Sequence, residues 1–302
     1  MRQQEAQQRS EFDSTGISIR QMIQALERGE FQLYYQPQVN AETAEVLGAE
    51  ALIRWRHPLH GLISASQFLP ALQDVRFASR VGEWALLRAR QDIERWRRAG
   101  FAPVPVSVNI HPEHLAMPGF AAKFLAISDG MIDVEIIETA LRHERDVLPT
   151  VSALRAAGVR IALDDFGIGY SSFLRLAELP IDVLKVDKSF ISALTHPRSQ
   201  AHLLRLRRVL SAVVSLAHLC RMTTLAEGVE TKADLAAIRS LGFKQFQGYL
   251  HSPAVSASAF RKFLQPPISD ESSDKIPKVT ARDRPPCDKI EAGARCAPPS
   301  RG

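Results

Sequence analysis

The sequence predicts an α/β fold of eight strands alternating with helices. The best reading is a (β/α)8 barrel, with a doubly wound open sheet as the structural alternative. Two observations carry this. Eight short runs rich in apolar and β-branched residues recur across about 220 residues, most of them separated by stretches of helical character. Gly100, Gly158 and Gly242 close three of those stretches just before the next run, where a residue of positive φ ends a helix.

In chain order the runs are FQLYYQPQV (31–39), VLGAEALIRW (46–55), VPVSVNI (104–110), IDVEIIE (132–138), RIALDDF (160–166), DVLKVD (182–187), TTLAEGV (223–229) and KQFQGYL (244–250). No full helix separates the first two. The helical candidates that follow are ASQFLPAL leading into GEWALLRARQDIERWRRAG, then PEHLAMPGFAAKFLA, RDVLPTVSALRAAG, SFLRLAEL, HLLRLRRVLSAVVSLAHL and KADLAAIRSLG. A last helix, SASAFRKFL, follows the eighth run. Alternation of this kind implies parallel strands joined by crossover helices.

The ends differ in composition. Residues 1–16 are polar and rich in Gln and Glu, as in a frayed terminus. Residues 265–302 hold 7 of the 18 prolines and almost no clustered apolar residues, so they read as a disordered Pro-rich tail. The folded domain is therefore expected at 17–264. Three cysteines exclude a disulfide framework, and Cys287 and Cys296 in the tail lack the spacing and the histidine of a zinc site. The longest apolar stretch, Val209 to Cys220, is too short for a membrane span and carries Ser211, Ser215 and His218. The N-terminus has no apolar signal stretch, so a cytoplasmic protein without a membrane partner is expected. Lys and Arg total 38 against 33 Asp and Glu, a net charge of +5 that permits an anionic partner without requiring one.

The sharper signal is where charge falls. An acid in a buried parallel strand is unfavourable unless paired or metal-bound. Yet Glu50, Glu135, Asp164, Asp165 and Glu227 lie in or at the end of the apolar runs, with Asn109, Lys185 and Gln247 in equivalent places. In a barrel the C-terminal strand ends share one rim, where barrel enzymes do their chemistry. Five carboxylates converging there stay ionised only when cations neutralise them, and hard oxygen ligands suit Mg²⁺ or Mn²⁺. The adjacent acids Asp164 and Asp165 point to two ions, an arrangement used for phosphodiester cleavage, with Lys185 as a point charge for a phosphate oxygen or the attacking water. Each residue alone has a bland reading as a helix cap, a loop acid or a strand-edge lysine; the set together does not.

With these residues in hand, the chain closely resembles the EAL domain family of bacterial cyclic di-GMP phosphodiesterases. Glu50-Ala51-Leu52 forms the signature, extended to Arg54 and Trp55. YYQPQV, SVNI, DDFGIGYSSF, LKVDKSF, AEGVET and QGY stand around it in the family's order over about residues 20 to 264. The resemblance implies a TIM-like (β/α)8 barrel with an antiparallel first strand. It implies a two-metal phosphodiesterase that hydrolyses cyclic di-GMP to linear pGpG, lowering a second messenger in bacterial signalling, and a homodimer. It further implies that Glu50, Asn109, Glu135 and Asp164 hold a first Mg²⁺ or Mn²⁺ ion, and that Asp164 (bridging), Asp165 and Glu227 hold a second. By the same resemblance Lys185 holds the nucleophilic water, Gln247 stands near the metal-bound water, and Gln36, Leu52 and Arg54 lie along the dinucleotide. Glu138 would anchor the loop after the fifth strand.

The chain departs from the family pattern at Ile168 and Ile137, each where a threonine is usual, and at Ala65, Leu72 and Gln73. These changes leave every metal ligand and the lysine in place, but they keep open a second class of function: a non-catalytic cyclic di-GMP receptor acting through a protein partner. A third class, a nucleic-acid-binding regulator, rests only on the basic cluster Arg205, Arg207 and Arg208, which reads as a solvated helix face; no nucleic-acid partner is expected. His57, His60 and His114 read as surface residues and none as a ligand.

Overall fold

The computed structural model describes residues 18–68, 72, 74–138, 144–167 and 178–265. Its frame is a closed barrel of eight strands. Strands β1 (Phe31–Asn40) and β2 (Val46–His57) form a long antiparallel hairpin, in one register from Phe31 opposite Trp55 to Gln38 opposite Gly48 and shifted by one residue at Val39 opposite Val46. Parallel pairing then runs from β2 through β4 (Val106–Asn109), β5 (Ile132–Ile137), β6 (Ile161–Phe166), β7 (Val183–Val186) and β8 (Thr223–Ala226) to β9 (Gln245–Phe246). β9 returns antiparallel to β1, with Val39 opposite Phe246, and closes the ring. Each of the eight predicted runs supplies one barrel strand, the open sheet is excluded, and the first strand is antiparallel to both neighbours.

Two short strands lie outside the ring: β3 (Gly61–Ser64) extends the edge of β2, and β10 (Val255–Ser256) pairs with β1. Neither is visible as an apolar run. Among the described residues the helices include α1 (Ile19–Glu27), α2 (Val75–Arg98), α3 (Pro112–Leu115), α4 (Phe120–Ser128), α5 (Glu144–Ala156), α6 (Lys188–Thr195), α7 (Gln200–Leu219), α8 (Lys232–Leu241) and α9 (Ala257–Phe260). The sequence missed α1 and α6. α1 is nine residues with a Ser18–Gln21 capping box; it buries Met22 and Ala25 in a side cluster with Phe31, Trp55, Phe68 and Phe77.

The single helix expected over PEHLAMPGFAAKFLA is two, α3 and α4. Pro118 disfavours helical geometry at Met117, and Gly119 sits at φ 80°, so the chain breaks there. Gly100, Gly158 and Gly242 all have positive φ, as their position after a helix predicts. Residues 172–177 of the SFLRLAEL segment, the loop residue Ile168, Gln73 and both terminal segments lie outside the described residues, apart from Gln265, which bridges to Ala102; Leu179, at the end of that segment, is buried in the core. His114 is not on the surface: it is buried against Phe120, its ring 4.7 Å away, and against Gly82, whose missing Cβ leaves the room.

Strand periodicity divides the barrel wall. On β5 to β8 the outward residues Val134, Ile136, Leu163, Leu184 and Val186 join the main core under the helices. The inward residues alternate with them. Ala162, Val183 and Leu225 form a small separate cluster, and in the ladder Ala162 stands opposite both Glu135 and Val183. The outer core supplies the stability, at roughly 2 kcal/mol for each fully buried large aliphatic side chain. The lumen can therefore carry polar groups.

Close approaches at two glycines hold the site's strand ends in place. A Cβ at Gly248 would lie 2.1 Å from the Val229 carbonyl oxygen, and one at Gly228 would lie 2.3 Å from the Lys188 Cβ. Gly248→Ala is expected to destabilise the fold by about 3 kcal/mol, because backbone must move. Gly29→Ala, with open space around it but φ at +70°, should cost only about 1 kcal/mol. Urea unfolding midpoints of the two variants test this ordering.

Candidate active site

Local geometry explains how so many charged residues reach one rim. Glu50, Leu52 and Arg54 are alternate residues of β2 and share one face of it; so do Ser107 and Asn109 on β4, and Asp133 and Glu135 on β5. Asp164 and Asp165 are adjacent and in a regular strand would point to opposite faces. The ladder slips here: Leu163 pairs Leu184 and Phe166 pairs Val186, leaving two aspartates opposite Lys185 alone. Asp165 takes φ 56°, uncommon for a non-glycine residue. This β-bulge re-aims the second carboxylate toward the rim.

Lys185 is the hub and is completely buried. Its Nζ lies 3.2 Å from Glu50 Oε2, 2.9 Å from Asp164 Oδ1 and 2.8 Å from Glu227 Oε1, and it donates to Glu135 Oε1. Gln247 ties the same acids together: its Nε2 donates to Glu50 Oε2 at 2.6 Å and to Glu227 Oε1 at 3.1 Å. Asn109 Nδ2 donates to Glu50 Oε1 at 3.1 Å. All eight predicted rim residues therefore meet in one cluster.

Five carboxylates share one ammonium, and the titration of the cluster shows the strain. Burial pushes Glu135 well above the usual carboxylate range, and the charge on Glu50 pushes it further. Burial raises Glu227 to about 8 despite Lys185, with Asp164 and Glu50 adding to the shift. Burial and the neighbouring Asp164 raise Asp165 to about 6. Asp164 is the exception: burial opposes it, but Lys185 holds it below the ordinary value. Burial alone would depress Lys185, yet Asp164, Glu135, Glu227 and Glu50 hold it well above a free lysine.

The donor set fits divalent cations. Carboxylate oxygens of Glu50, Glu135 and Glu227 come within 4.8 Å of one another, as do those of Asp164, Asp165 and Glu227. Among the described residues, Glu135 Oε2 and Gln247 Oε1 are buried without a hydrogen-bond partner. Unpartnered buried oxygens beside surplus negative charge are what a hard cation satisfies. The two groups share Glu227, whereas the family resemblance implies Asp164 as the shared ligand; here Lys185 draws both carboxylates onto its own ammonium.

A cavity of about 310 Å³ opens beside the cluster, with Glu50, Leu52, Asn109, Ile137, Asp164 and Asp165 in its lining. Gln36 stands opposite Glu50 in the ladder and donates to the Ser252 carbonyl at 3.3 Å. The Arg54 guanidinium lies 6.0 Å from the centre of the Tyr34 ring, and burial lowers its pKa. Sequence reasoning missed Tyr34 and Tyr249. Tyr249 is 68% exposed, and its signal was an aromatic residue two positions after the strand-end Gln247. Glu138 Oε2 accepts the Gly167 backbone N–H at 2.9 Å, at the root of the loop after β6. Thr139 and residues 168–177 of that loop lie outside the described residues.

Fold and site together define a barrel with an acidic, lysine-centred rim suited to metal-assisted hydrolysis. The family model for the EAL domain matches residues 19–254, and the chain belongs to the EAL domain family. It is 36% identical over 239 residues to the bifunctional diguanylate cyclase/cyclic di-GMP phosphodiesterase MucR of Pseudomonas aeruginosa, covering 77% of this chain and 34% of that protein. It is 33% identical over 252 residues to the cyclic di-GMP phosphodiesterase NbdA of the same organism, covering 81% of this chain and 31% of that protein. The chain thus spans about a third of the length of these curated relatives. Among solved structures, the PaMucR phosphodiesterase in complex with c-di-GMP superposes with a TM-score of 0.72 at 35% identity, covering 79% of this chain and 97% of that one. The EAL enzyme Bd1971, bound to cAMP and cyclic di-GMP, gives 0.75 at 27% identity over 82% of this chain and 68% of that one.

The raised carboxylates make a prediction for the metal-free protein. Glu227 and Asp165 hold protons in the folded state that the unfolded chain has released by about pH 5. Their stabilising contribution is therefore full at low pH and is lost as pH rises through about 6 to 8. In EDTA, thermal unfolding from pH 5 to 8 should show this falling component, and Glu227→Gln should make it shallower. An unchanged slope in the variant would refute the assignment.

Proposed function

We propose that the chain is a divalent-metal-dependent phosphodiesterase that hydrolyses cyclic di-GMP to linear pGpG, lowering the level of a bacterial second messenger. The observation that carries the reading is the complete rim: five carboxylates, Asn109 and Gln247 gathered around a buried Lys185. The family and its cyclic di-GMP phosphodiesterase relatives support the substrate.

In this reading Glu50, Asn109, Glu135 and Asp164 would hold one Mg²⁺ or Mn²⁺ ion, and Asp164, Asp165 and Glu227 would hold the other. When bound, the ions neutralise the phosphate and supply Lewis-acid activation. Lys185 then gives up part of its carboxylate shell and holds the attacking water with its ammonium. Gln247 fixes Glu50 and Glu227 through Nε2 and offers Oε1 to a water hydrogen. The water oxygen bonds to phosphorus, the bond from phosphorus to the ribose 3′ oxygen breaks, and that oxygen takes the proton, leaving a 5′-phosphate and a 3′-hydroxyl. Arg54, beside Tyr34, binds a phosphate of the dinucleotide; Leu52 and Gln36 line its path. Glu138 anchors the loop after β6 through Gly167.

A non-catalytic receptor is the second reading, favoured by one observation: Ile137 lines the cavity and offers no hydroxyl there. The proposed protein is a cytoplasmic homodimer. Among the described residues no helix is long and apolar enough to cross a membrane.

Chromatographic assay of cyclic di-GMP turnover decides between the two readings. Purified protein should form pGpG with Mg²⁺ or Mn²⁺ and none in EDTA. Glu50→Gln and Lys185→Met should each lower kcat by at least about 100-fold. Calorimetric binding of the dinucleotide with no turnover in saturating Mn²⁺ would establish the receptor instead.

A further inference from the structure

We propose that a cleft between α2, the start of β1 and the β10–α9 turn binds a small soluble phosphorylated anion, at a site separate from the acidic rim. The cleft encloses about 380 Å³, within the range of small-ligand sites, and three guanidinium groups line it: Arg88, Arg95 and Arg261. The carboxylate in its lining is Asp92, only 1% exposed, and both its oxygens are engaged. Oδ2 accepts the Tyr35 hydroxyl at 2.8 Å and Arg88 Nε at 3.2 Å; Oδ1 accepts Arg95 NH1 at 2.7 Å.

The arginines keep most of their donors free. A guanidinium carries five N–H groups in a fixed fork. Arg88 and Arg95 each commit one nitrogen to Asp92, and Arg261 commits Nε to the Ser258 carbonyl at 3.2 Å. Their other nitrogens have no protein acceptor among the described residues. The hydroxyls of Ser256 and Ser258 on the same wall are hydrogen-bonded to each other at 3.1 Å, which leaves one O–H able to donate. After Asp92 is counted, the lining keeps two positive charges. That balance matches a phosphate monoester, which carries between one and a half and two negative charges near neutral pH.

Asp92 is what separates this cleft from a solvated basic face. It is buried in the wall and ties one nitrogen of each of two arginines, so a ligand meets donors that are partly ordered in advance. The Tyr35 and Trp96 rings, 5.0 Å apart and both buried, back the same wall. The acidic rim has the opposite sign of charge and shares none of these residues. In EDTA the acidic rim repels an anion, and variants of the cleft arginines separate binding at the cleft from any binding at Arg54.

The test is titration of the 302-residue chain in EDTA with phenyl phosphate, followed by calorimetry and thermal unfolding, against sodium chloride at matched ionic strength. Phenyl phosphate should stabilise the protein where chloride does not. Arg261→Ala should weaken its binding at least about tenfold, as loss of a charge-assisted bond implies. Arg95→Gln provides a second variant from a different wall and should act in the same direction. Arg205→Ala, on α7, should leave binding unchanged. An equal response to chloride, or equal affinity in wild type, Arg261→Ala and Arg95→Gln, would overturn the proposal.

Discussion

The structure turns on one imbalance: a single buried ammonium, Lys185, faces four carboxylates directly, with a fifth at Asp165 beside them. Like charges this close repel by several kcal/mol each at the effective dielectric of a protein interior. The repulsion is contained in two ways. Lys185 and Gln247 tie Glu50 and Glu227, and burial keeps Glu135 and Glu227 in their protonated forms far above the ordinary carboxylate range. Both are provisional in a chemical sense, since cations would displace protons and lysine alike. The metal-free rim is thus a site arranged to take up positive charge.

The barrel exists to hold that arrangement against its own repulsion. The outward faces of the same strands bury Val134, Leu163, Leu184 and their neighbours under helices, and this apolar layer offsets the polar lumen. Closure by β1 removes the sheet edges and places Gln36 opposite Glu50. The bulge in β6 then does what a regular strand cannot, bringing two consecutive aspartates to one lysine at the expense of a left-handed Asp165. Local strain at a functional residue is tolerated when the surrounding ladder over-determines it.

Much of this was legible from the residues. Recurring apolar runs located all eight barrel strands, and the acids inside five of them marked where chemistry interrupts an otherwise apolar wall. The alternation Glu50, Leu52, Arg54 already put three site residues on one face. What stayed hidden was hidden for physical reasons. α1 and α6 are eight or nine residues long, and their helicity comes from caps at Ser18 and Asp187 and from burial of Met22 and Ile191. β3 and β10 are edge pairings that gain their form from a neighbour. The break at Gly119 needed Pro118 and a left-handed glycine to be weighed together against a helical pattern. The bulge at Asp165 and the burial of His114 depend on partners far away in sequence, Lys185 and Gly82.

The proposed function requires the rim to take up two divalent cations. Anomalous diffraction from crystals grown with Mn²⁺ tests it most directly. Two Mn²⁺ peaks are expected, one among Glu50, Asn109, Glu135 and Asp164 and one among Asp164, Asp165 and Glu227, with Lys185 withdrawn from part of its carboxylate shell. No peak at the rim, or a single peak with Lys185 still bonded to all four acids, would contradict it.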